Sequence, residues 1–289
     1  MENQSTENIK EISRQLRRDI IKMLVISQSG HSGGPLGLAE VFASLYFKVL
    51  NIDPKNPNWE ERDYFFLSAG HLAPIWYATL SRRGYFPIAE LSTLRKINTR
   101  LHGHPAPHKT HGLPGIEIAS GALGQGLSNA VGVAIGLKLD KKKNRVFVLM
   151  GDGELNEGNI WESMMTANHH SLDNLVGIVD RNFCQIDDRT ENVMKLEPLA
   201  DKWKSFGWNV IECDGHNVEE FIFSCETAKK MKGAPTVILA KTFMGNGVSF
   251  MQDDFRWHGV PPSTEQGKIA LSEISQTSLG DFIKFDWEN

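Results

Sequence analysis

Two hydrophobic patterns alternate along the chain. Short continuous apolar runs predict buried strands, and longer segments with apolar residues on one face predict helices. Strands that alternate with helices are typical of an α/β protein with a doubly wound, mainly parallel sheet and helices on both faces. The predicted strands are 64–67, 145–151, 176–182, 208–212 and 236–240, and the predicted helices are 6–30, 38–49, 71–83, 119–139, 159–169, 198–206 and 218–231.

The pattern has no internal repeat and no linker-like segment. We therefore predict one domain over residues 1–289, with a core at about 9–261. The region between 97 and 116 is predicted to be an irregular loop rich in histidine and proline. Residues 262–289 show no clear periodicity and are predicted to form an irregular tail along the surface.

Composition excludes several classes of function. A net charge of −4 gives no reason to expect nucleic acid or an acidic membrane as a partner. The three cysteines are too scattered for a disulfide framework or a Cys-x-x-Cys metal site. The first residues lack the basic and apolar regions of a signal peptide, and no apolar run is long enough to cross a membrane. We expect a cytoplasmic protein.

The ends of two predicted strands carry candidate ligands for a cation. The run 145–151 leads into Asp152 and Gly153, and the run 176–181 leads into Asn182. The carboxyl ends of neighbouring parallel strands lie side by side, and ligands bind there. Carboxylate and amide oxygens suit Mg²⁺, and glycines let backbone N–H groups approach a diphosphate. An Asp-Gly pair alone is also a common turn, but the second strand end favours a ligand site.

Four histidines lie in sequence settings that indicate a site. His31 lies in a glycine-rich turn, His71 follows the predicted strand 64–67, and His104 and His258 precede Pro and Gly. Taken singly, each is an ordinary loop or core histidine. Histidines 102, 104, 108 and 111 also have spacings that a zinc site can use, although this stretch lacks cysteine and carboxylate ligands.

These motifs together resemble the N-terminal, diphosphate-binding domain of transketolase. The Gly151-Asp152-Gly153 motif, the spacer and Asn182 are similar to the cofactor motif of thiamine-diphosphate enzymes. The four histidines and the segment 119–129 carry the resemblance to transketolase, which extends over about residues 9–261. It implies thiamine diphosphate and Mg²⁺, or Ca²⁺ or Mn²⁺, as cofactors.

The resemblance also implies a role for each matching residue. The metal ligands would be Asp152, Asn182 and the backbone carbonyl of Cys184. Diphosphate contacts would come from His71, His258 and the N–H of Gly153, and aminopyrimidine contacts from Gly121 and Leu123. Glu157 would join a carboxylate network that couples two active sites across a dimer, with Glu154 as the rival for that role. The substrate channel would be lined by three histidines that move protons, His31, His104 and His258.

The implied reaction needs a second polypeptide. In transketolases, a glutamate that activates the cofactor and most basic residues that bind substrate phosphate lie on a further domain, for which this sequence has no room. We therefore expect the N-terminal subunit of a split transketolase, or a longer chain cut short. With a C-terminal partner in an α2β2 complex, it would transfer a two-carbon ketol unit between sugar phosphates of the pentose phosphate pathway.

Three alternatives stay open at this point. The chain could serve a transketolase-like enzyme for an unusual sugar phosphate. It could be the α subunit of a 2-oxoacid dehydrogenase, although that family would not be expected to carry the histidine set. It could also be a catalytically silent cofactor-binding subunit, which the intact ligands and histidines disfavour.

Overall fold

The computed structural model describes residues 4–288. The strands are β1 Tyr64–Leu67, β2 Val146–Gly151, β3 Leu175–Arg181, β4 Asn209–Asp214 and β5 Thr236–Lys241. The helices are α1 Thr6–Ser27, α2 Gly33–Gly37, α3 Ala39–Ser44 with a π-helical turn Leu45–Val49, α4 Ala73–Arg83, α5 Gln125–Leu139, α6 Gly158–His169, α7 Thr190–Val193, α8 Leu199–Ser205, α9 Val218–Lys230 and α10 Thr264–Glu273.

The five strands form one parallel sheet in the order β1-β2-β3-β5-β4. The register sets Gly151, the last residue of β2, opposite Asp180 near the end of β3. Asp152 and Asn182 therefore leave the sheet side by side at its carboxyl edge, as the sequence predicts.

Each face of the sheet has its own hydrophobic core, because successive side chains of a strand point to opposite faces. In β2, Phe147 and Leu149 pack with α1, α3, α4 and α9, whereas Val148 and Met150 pack with α5, α6 and α8. The prediction of helices on both faces of a parallel sheet is confirmed. The unbroken apolar runs of the central strands follow from burial on both sides.

Helix α5 begins six residues later than predicted, at Gln125 instead of 119. The backbone of Gly121 has φ +152°, and Gly124, which precedes the helix, has φ +81°. Glycine adopts such conformations readily, so the segment before Gln125 forms a loop rather than a helical turn. That loop lines the candidate site at the carboxyl edge of the sheet.

The irregular tail predicted for 262–289 contains a helix, so that part of the prediction is wrong. Helix α10 begins with a capping box in which Ser263 and Gln266 bond reciprocally to each other's backbone. Ala270 and Leu271 are buried, and Gly267 lies against Val25 of α1. The Ser-x-x-Gln spacing was a signal for this helix start that the weak periodicity hid.

Across residues 4–288, each helix is either too short or too polar to span a membrane.

Candidate active site

A cavity of about 410 Å³ lies at the carboxyl edge of the sheet, beyond the ends of β2 and β3. This volume is within the range of small-molecule sites. The structure brings ten of the predicted site residues to its wall: His31, His71, His104, Gly121, Leu123, Asp152, Gly153, Asn182, Cys184 and His258. Residues that the sequence did not single out also line it, among them Gly34, Leu72, Asp180, Gln185, Ile186 and Met244.

Asp152 and Asn182 lie at the floor of this cavity with their oxygens partly engaged. Asp152 Oδ2 accepts hydrogen bonds from Arg181 Nη1 at 3.0 Å and from the Phe183 N–H at 2.7 Å. Asn182 Oδ1 accepts from the Cys184 N–H at 2.9 Å, and its Nδ2 donates to Asp180 Oδ2 at 2.8 Å. Carboxylate and amide oxygens have further lone pairs, so both side chains can still face a cation.

The charge balance of this floor fits a divalent cation. Burial, together with the neighbouring Asp180, raises the pKa of Asp152 to about 7 against the pull of Arg181. Burial also raises the pKa of Asp180 to about 6. Asp152 pairs with the Arg181 guanidinium, whereas Asp180 accepts hydrogen bonds from the neutral side chains of Asn182 and Thr242. A cation at this floor would favour the charged forms of both carboxyl groups.

Side chains alone do not complete a metal site. Within residues 4–288, no three His, Cys, Asp or Glu side chains cluster closely enough to hold a metal ion. A hard cation here would need carbonyl oxygens and phosphate oxygens in addition to Asp152 and Asn182. The four histidines of the 102–111 stretch do not form a zinc cluster either: His104 lines the cavity at the carboxyl edge, and the other three line a separate open cavity.

Three histidines from distant segments meet at one wall of the cavity. The ring centroids of His31 and His71 are 5.0 Å apart, those of His71 and His258 are 5.0 Å apart, and those of His31 and His258 are 5.6 Å apart. The Nδ1 atoms of His31 and His258 are buried and have no hydrogen-bond partner among residues 4–288. Buried polar atoms normally have partners, so these two indicate a place for a polar ligand.

The four site histidines are held in the neutral form. Burial, with the neighbouring His258 and His31, lowers the pKa of His71 to about 3. Burial, with His258, Arg95 and His104 nearby, lowers the pKa of His31 to about 4. Burial also lowers the pKa of His258 and, with Arg95, that of His104. A neutral imidazole has one nitrogen that donates a hydrogen bond and one that accepts, which suits contact with a polar ligand.

The chain matches a known protein family over almost its whole length. Residues 5–274 match the family described as "Transketolase, thiamine diphosphate binding domain". The chain belongs to the transketolase family. The predicted resemblance is confirmed and extends beyond the predicted range of 9–261 at both ends.

Its relatives include both separate transketolase subunits and longer transketolases. A 6-deoxy-6-sulfo-D-fructose transketolase subunit of Clostridium sp. (strain MSTE9) is 41% identical, and the match covers 92% of this chain and 98% of the relative. One subunit of an apulose-4-phosphate transketolase from Phocaeicola vulgatus is 38% identical, with 93% and 95% covered. The human transketolase is 37% identical over 94% of this chain but only 43% of its own length.

Solved transketolase structures share the fold of this chain. The transketolase of Campylobacter jejuni superposes with a TM-score of 0.89 at 31% identity, over 97% of this chain and 44% of that one. The transketolase of Leishmania mexicana gives 0.86 at 30% identity, over 98% and 43%. The chain thus spans less than half the length of these transketolases. A match to this family also sets aside the 2-oxoacid dehydrogenase alternative.

The two glutamates that the sequence left as rivals lie in different environments. Glu154 is buried and accepts hydrogen bonds from the Gly124 N–H at 2.6 Å, the Gly151 N–H at 3.1 Å and the Ser68 hydroxyl. It therefore ties the loop before α5 to the end of β2 within the chain. Glu157 is exposed and is absent from the cavity wall. An exposed carboxylate can reach a neighbouring polypeptide, which agrees with the role predicted for Glu157. That role stays a prediction.

Glycines at the site allow close approaches that a side chain would block. A Cβ on Gly153 would lie 2.8 Å from Cγ of Gln185, so this position accepts only glycine without movement of Gln185. A Cβ on Gly121 would lie 3.5 Å from the His104 ring, which lines the same wall. The N–H of Gly153 is engaged by Asp152 Oδ1 at 2.7 Å in the structure.

Proposed function

We propose that this chain is the diphosphate-binding subunit of a split transketolase. With a partner that carries the pyrimidine-binding domain, it would transfer a two-carbon ketol unit from a ketose phosphate to an aldose phosphate. The observation that carries this proposal is the similarity to relatives that are named as transketolase subunits, which are 41% and 38% identical and are covered to 98% and 95% of their own length.

The residues at the cavity floor fit the diphosphate and its cation. Asp152, Asn182 and the Cys184 carbonyl would hold Mg²⁺ or a similar hard cation, with diphosphate oxygens as further ligands. His71 and His258 would face the diphosphate, and the loop with Gly121 and Leu123 would face the aminopyrimidine. When bound, thiamine diphosphate supplies the carbon nucleophile for transfer of the two-carbon unit.

The histidine wall would handle the substrate's protons. The Nδ1 atoms of His31 and His258 have no partner in the part of the chain that the structure describes, so they are available to a polar ligand. We assign His31, His104 and His258 to hydrogen bonds with sugar hydroxyls and to proton transfer at the substrate oxygens. Their low pKa values keep them neutral near pH 7, so each can accept a proton.

Glu157 is exposed, so it would contact the Glu157 of a second copy of this subunit and couple the two active sites. Two copies of this subunit with two copies of the partner give an α2β2 assembly. Obligate interfaces of this kind commonly bury on the order of 2,000 Å² or more. The three cysteines of the chain are free thiols and buried, as is usual for the cytoplasm, where we place the complex.

The identity of the donor sugar is a separate part of the proposal. The relatives named above act, by their names, on a sulfo-sugar and on apulose 4-phosphate. Their similarity favours an unusual anionic ketose over a classical role in the pentose phosphate pathway for this chain. We propose both as donor classes to be compared directly.

The experiment is a reconstitution. The chain alone, the candidate partner encoded beside it and the mixture are assayed with several ketose donors and aldose acceptors at saturating cofactor. We expect no appreciable transfer by either chain alone and turnover by the mixture, and none with an Asp152→Ala chain in the mixture. Full turnover by the purified chain alone would refute the split-subunit proposal.

A further inference from the structure

An ion pair joins two segments of the cavity wall that are far apart in the sequence. Arg189 Nη1 and Nη2 donate to the two carboxylate oxygens of Asp253, each at 2.7 Å, and Nη2 also donates to the Asp253 backbone carbonyl at 3.1 Å. Such bidentate pairs are among the stronger and more directional ion pairs of proteins. The two residues are 64 positions apart. The pair therefore fixes one segment relative to another and not a local turn.

The first of these segments is the loop 184–189, which follows β3. Cys184, Gln185 and Ile186 of this loop line the cavity. Cys184 pairs with Arg189 in a short antiparallel bridge across the loop, and Arg189 Nη1 lies 3.5 Å from Cys184 Sγ. Arg189 thus lies directly across the loop from the residue whose carbonyl we assign to the cation.

The second segment, 244–258, carries Met244 and His258 of the cavity wall. Asp253 is tied to this segment by its N–H, which donates to the Met244 carbonyl at 2.7 Å. Its φ is +59°, in the left-handed region that residues other than glycine rarely adopt. Because such a conformation costs free energy, it persists only where surrounding contacts hold it. Hydrogen bonds at both the carboxylate and the backbone hold Asp253 in this conformation.

Arg189 and Asp253 supply the only hydrogen bonds between these two segments within residues 4–288. Their side chains are 37% and 43% exposed, so the pair can break without opening the hydrophobic core. A neighbouring ion pair differs in this respect: Arg256 bonds to Asp254 at 2.6 Å, but both residues belong to the same segment. Loss of the Arg189–Asp253 pair therefore lets the two segments move apart, whereas loss of the Arg256–Asp254 pair does not.

We propose that Arg189 and Asp253 are positioning residues that slow the release of Mg²⁺ and thiamine diphosphate from the cavity. The inference rests on the proposed function, because it takes this cavity as the cofactor site. Neither side chain lines the cavity, so both act through the segments that they join. The pair keeps the loop with the Cys184 carbonyl and the segment with His258 together, and these would contact the cation and the diphosphate. Without the pair, the loop can move away and a bound cofactor leaves sooner.

The first test measures cofactor release from the reconstituted complex. The complex is loaded with Mg²⁺ and thiamine diphosphate and transferred to cofactor-free buffer with a chelator, and the retained cofactor is quantified over time. Arg189→Met and Asp253→Asn should each release it about three- to tenfold faster than the wild type. Asparagine also adopts the left-handed conformation, so Asp253→Asn removes the charge and keeps the backbone.

Further variants test whether the ion pair itself is responsible. Arg189→Lys keeps the charge but not the planar set of donors, and it should recover part of the loss. Arg256→Met is the matched control and should release cofactor within about 1.5-fold of the wild type. The double variant Arg189→Met with Asp253→Asn should resemble the single variants, since either change breaks the pair. Release at the wild-type rate in both single variants, or single effects that multiply in the double variant, would overturn the proposal.

Two more measurements distinguish positioning from a general loss of stability. The apo unfolding temperature of Arg189→Met should lie within about 2 °C of the wild type, because the pair is exposed. Salt screens exposed charges, so raising NaCl from about 50 to 500 mM should speed release from the wild type more than from Arg189→Met. An apo stability loss as large as the loss with cofactor bound, or an equal salt dependence, would contradict the positioning role.

Failure of the proposed function gives a different result. If the wild-type complex retains cofactor and the variants release it faster, but no ketose is turned over, the proposed function fails and the positioning role stands. If ketol transfer is found and the release rates are equal, the proposed function stands and the positioning role fails. If the wild type binds no cofactor, both fail.

Discussion

Two regions of the molecule bury polar groups, and they do so in opposite ways. Helix α1 carries buried charges that are all paired with distant parts of the chain: Arg17 with Glu40, Arg18 with Asp281, Asp19 with Arg82, and Lys22 with Glu288. At the cavity, the buried Nδ1 atoms of His31 and His258 instead have no hydrogen-bond partner within the described residues 4–288. Burying these polar groups costs desolvation free energy in both regions. Only the ion pairs of α1 recover part of that free energy within the folded chain.

The contrast separates polar groups that hold the fold together from polar groups that are available to a ligand. The α1 ion pairs join the first helix to α3, α4 and the tail, so they hold the layer that covers one face of the sheet. The Nδ1 atoms of His31 and His258 bond to no other described part of the chain, so they do not hold the fold together. Changes in the α1 layer should therefore alter stability alone, and changes at the cavity should alter ligand binding and turnover.

The largest effect on stability is expected from Asp281→Ala. This change leaves the Arg18 and Lys22 side chains, 2% and 0% exposed, with one buried partner fewer. Removing one partner of a buried ion pair costs about 3–5 kcal/mol. Urea denaturation of the apo chain measures the loss, and cofactor affinity of the folded variant should not change. Glu265→Ala, which removes an exposed pair with Lys268, is the control and should cost less than about 1 kcal/mol.

Asp152→Ala should do the reverse, removing cofactor binding rather than the fold. It deletes the anionic oxygen at the end of β2 and leaves Asn182 without its neighbour. At about 100 times its Kd, Mg²⁺ with thiamine diphosphate stabilises a protein by roughly 2.7 kcal/mol, and this stabilisation should vanish. Thermal shift with and without cofactor provides the measurement, and Asp173→Ala, at the opposite edge of the sheet, should retain the full shift. A full shift in Asp152→Ala would show that the metal assignment is wrong.

Within the cavity, His104→Ala should separate chemistry from cofactor binding. His104 is not one of the three histidines whose rings contact one another, and it is not assigned to the diphosphate, so its loss should leave the diphosphate end intact. Transfer by the reconstituted complex should fall roughly 10²-fold where a proton-transferring histidine is lost, with cofactor affinity nearly unchanged. His31→Ala should behave in the same way. Cofactor titrations beside steady-state kinetics check both variants.

His258→Ala should weaken cofactor affinity and turnover together. Its ring contacts both His31, which we assign to the substrate, and His71, which we assign to the diphosphate, with centroids 5.6 and 5.0 Å away. Should His104→Ala lose cofactor binding while His258→Ala retains it, the two assignments would have to be exchanged.

The smallest effect concerns pH. The pKa of His71 is lowered from 6.5 to about 3, so between these values the unfolded chain binds a proton that the folded chain does not. Stability from this group is complete above pH 6.5 and falls as the pH drops, by about 1 kcal/mol over the first pH unit below it. His71→Gln should flatten this part of the unfolding free energy against pH, whereas exposed His169→Gln should not. Bound cofactor should also flatten it, because a diphosphate beside His71 favours the imidazolium. An unchanged slope in His71→Gln would contradict the placement of His71 in a buried, neutral state.

Much of this molecule could be predicted from local sequence. The apolar runs specified all five strands, and Asp152 and Asn182 at their ends specified the floor of the site. Such signals succeed because strand and helix periodicities, and the residue that follows a strand, are properties of neighbouring positions. The late start of α5 at Gln125 was missed, since Gly121 and Gly124 adopt backbone angles that depend on the packing of their loop. Helix α10 was missed because its few apolar residues are buried by contact with α1, which its own sequence does not show.

Only the tertiary structure decided which distant side chains meet. It joined His31, His71 and His258 into one cluster, and it buried Glu154 inside the chain while leaving Glu157 exposed. The sequence by itself determined the parallel sheet, the positions of Asp152 and Asn182 at its strand ends, and the residue types of the site. These follow from the order and spacing of residues along the chain. Burial, pairing and charge balance depend on distances between segments that are far apart in the chain, and those distances exist only once both faces of the sheet are packed.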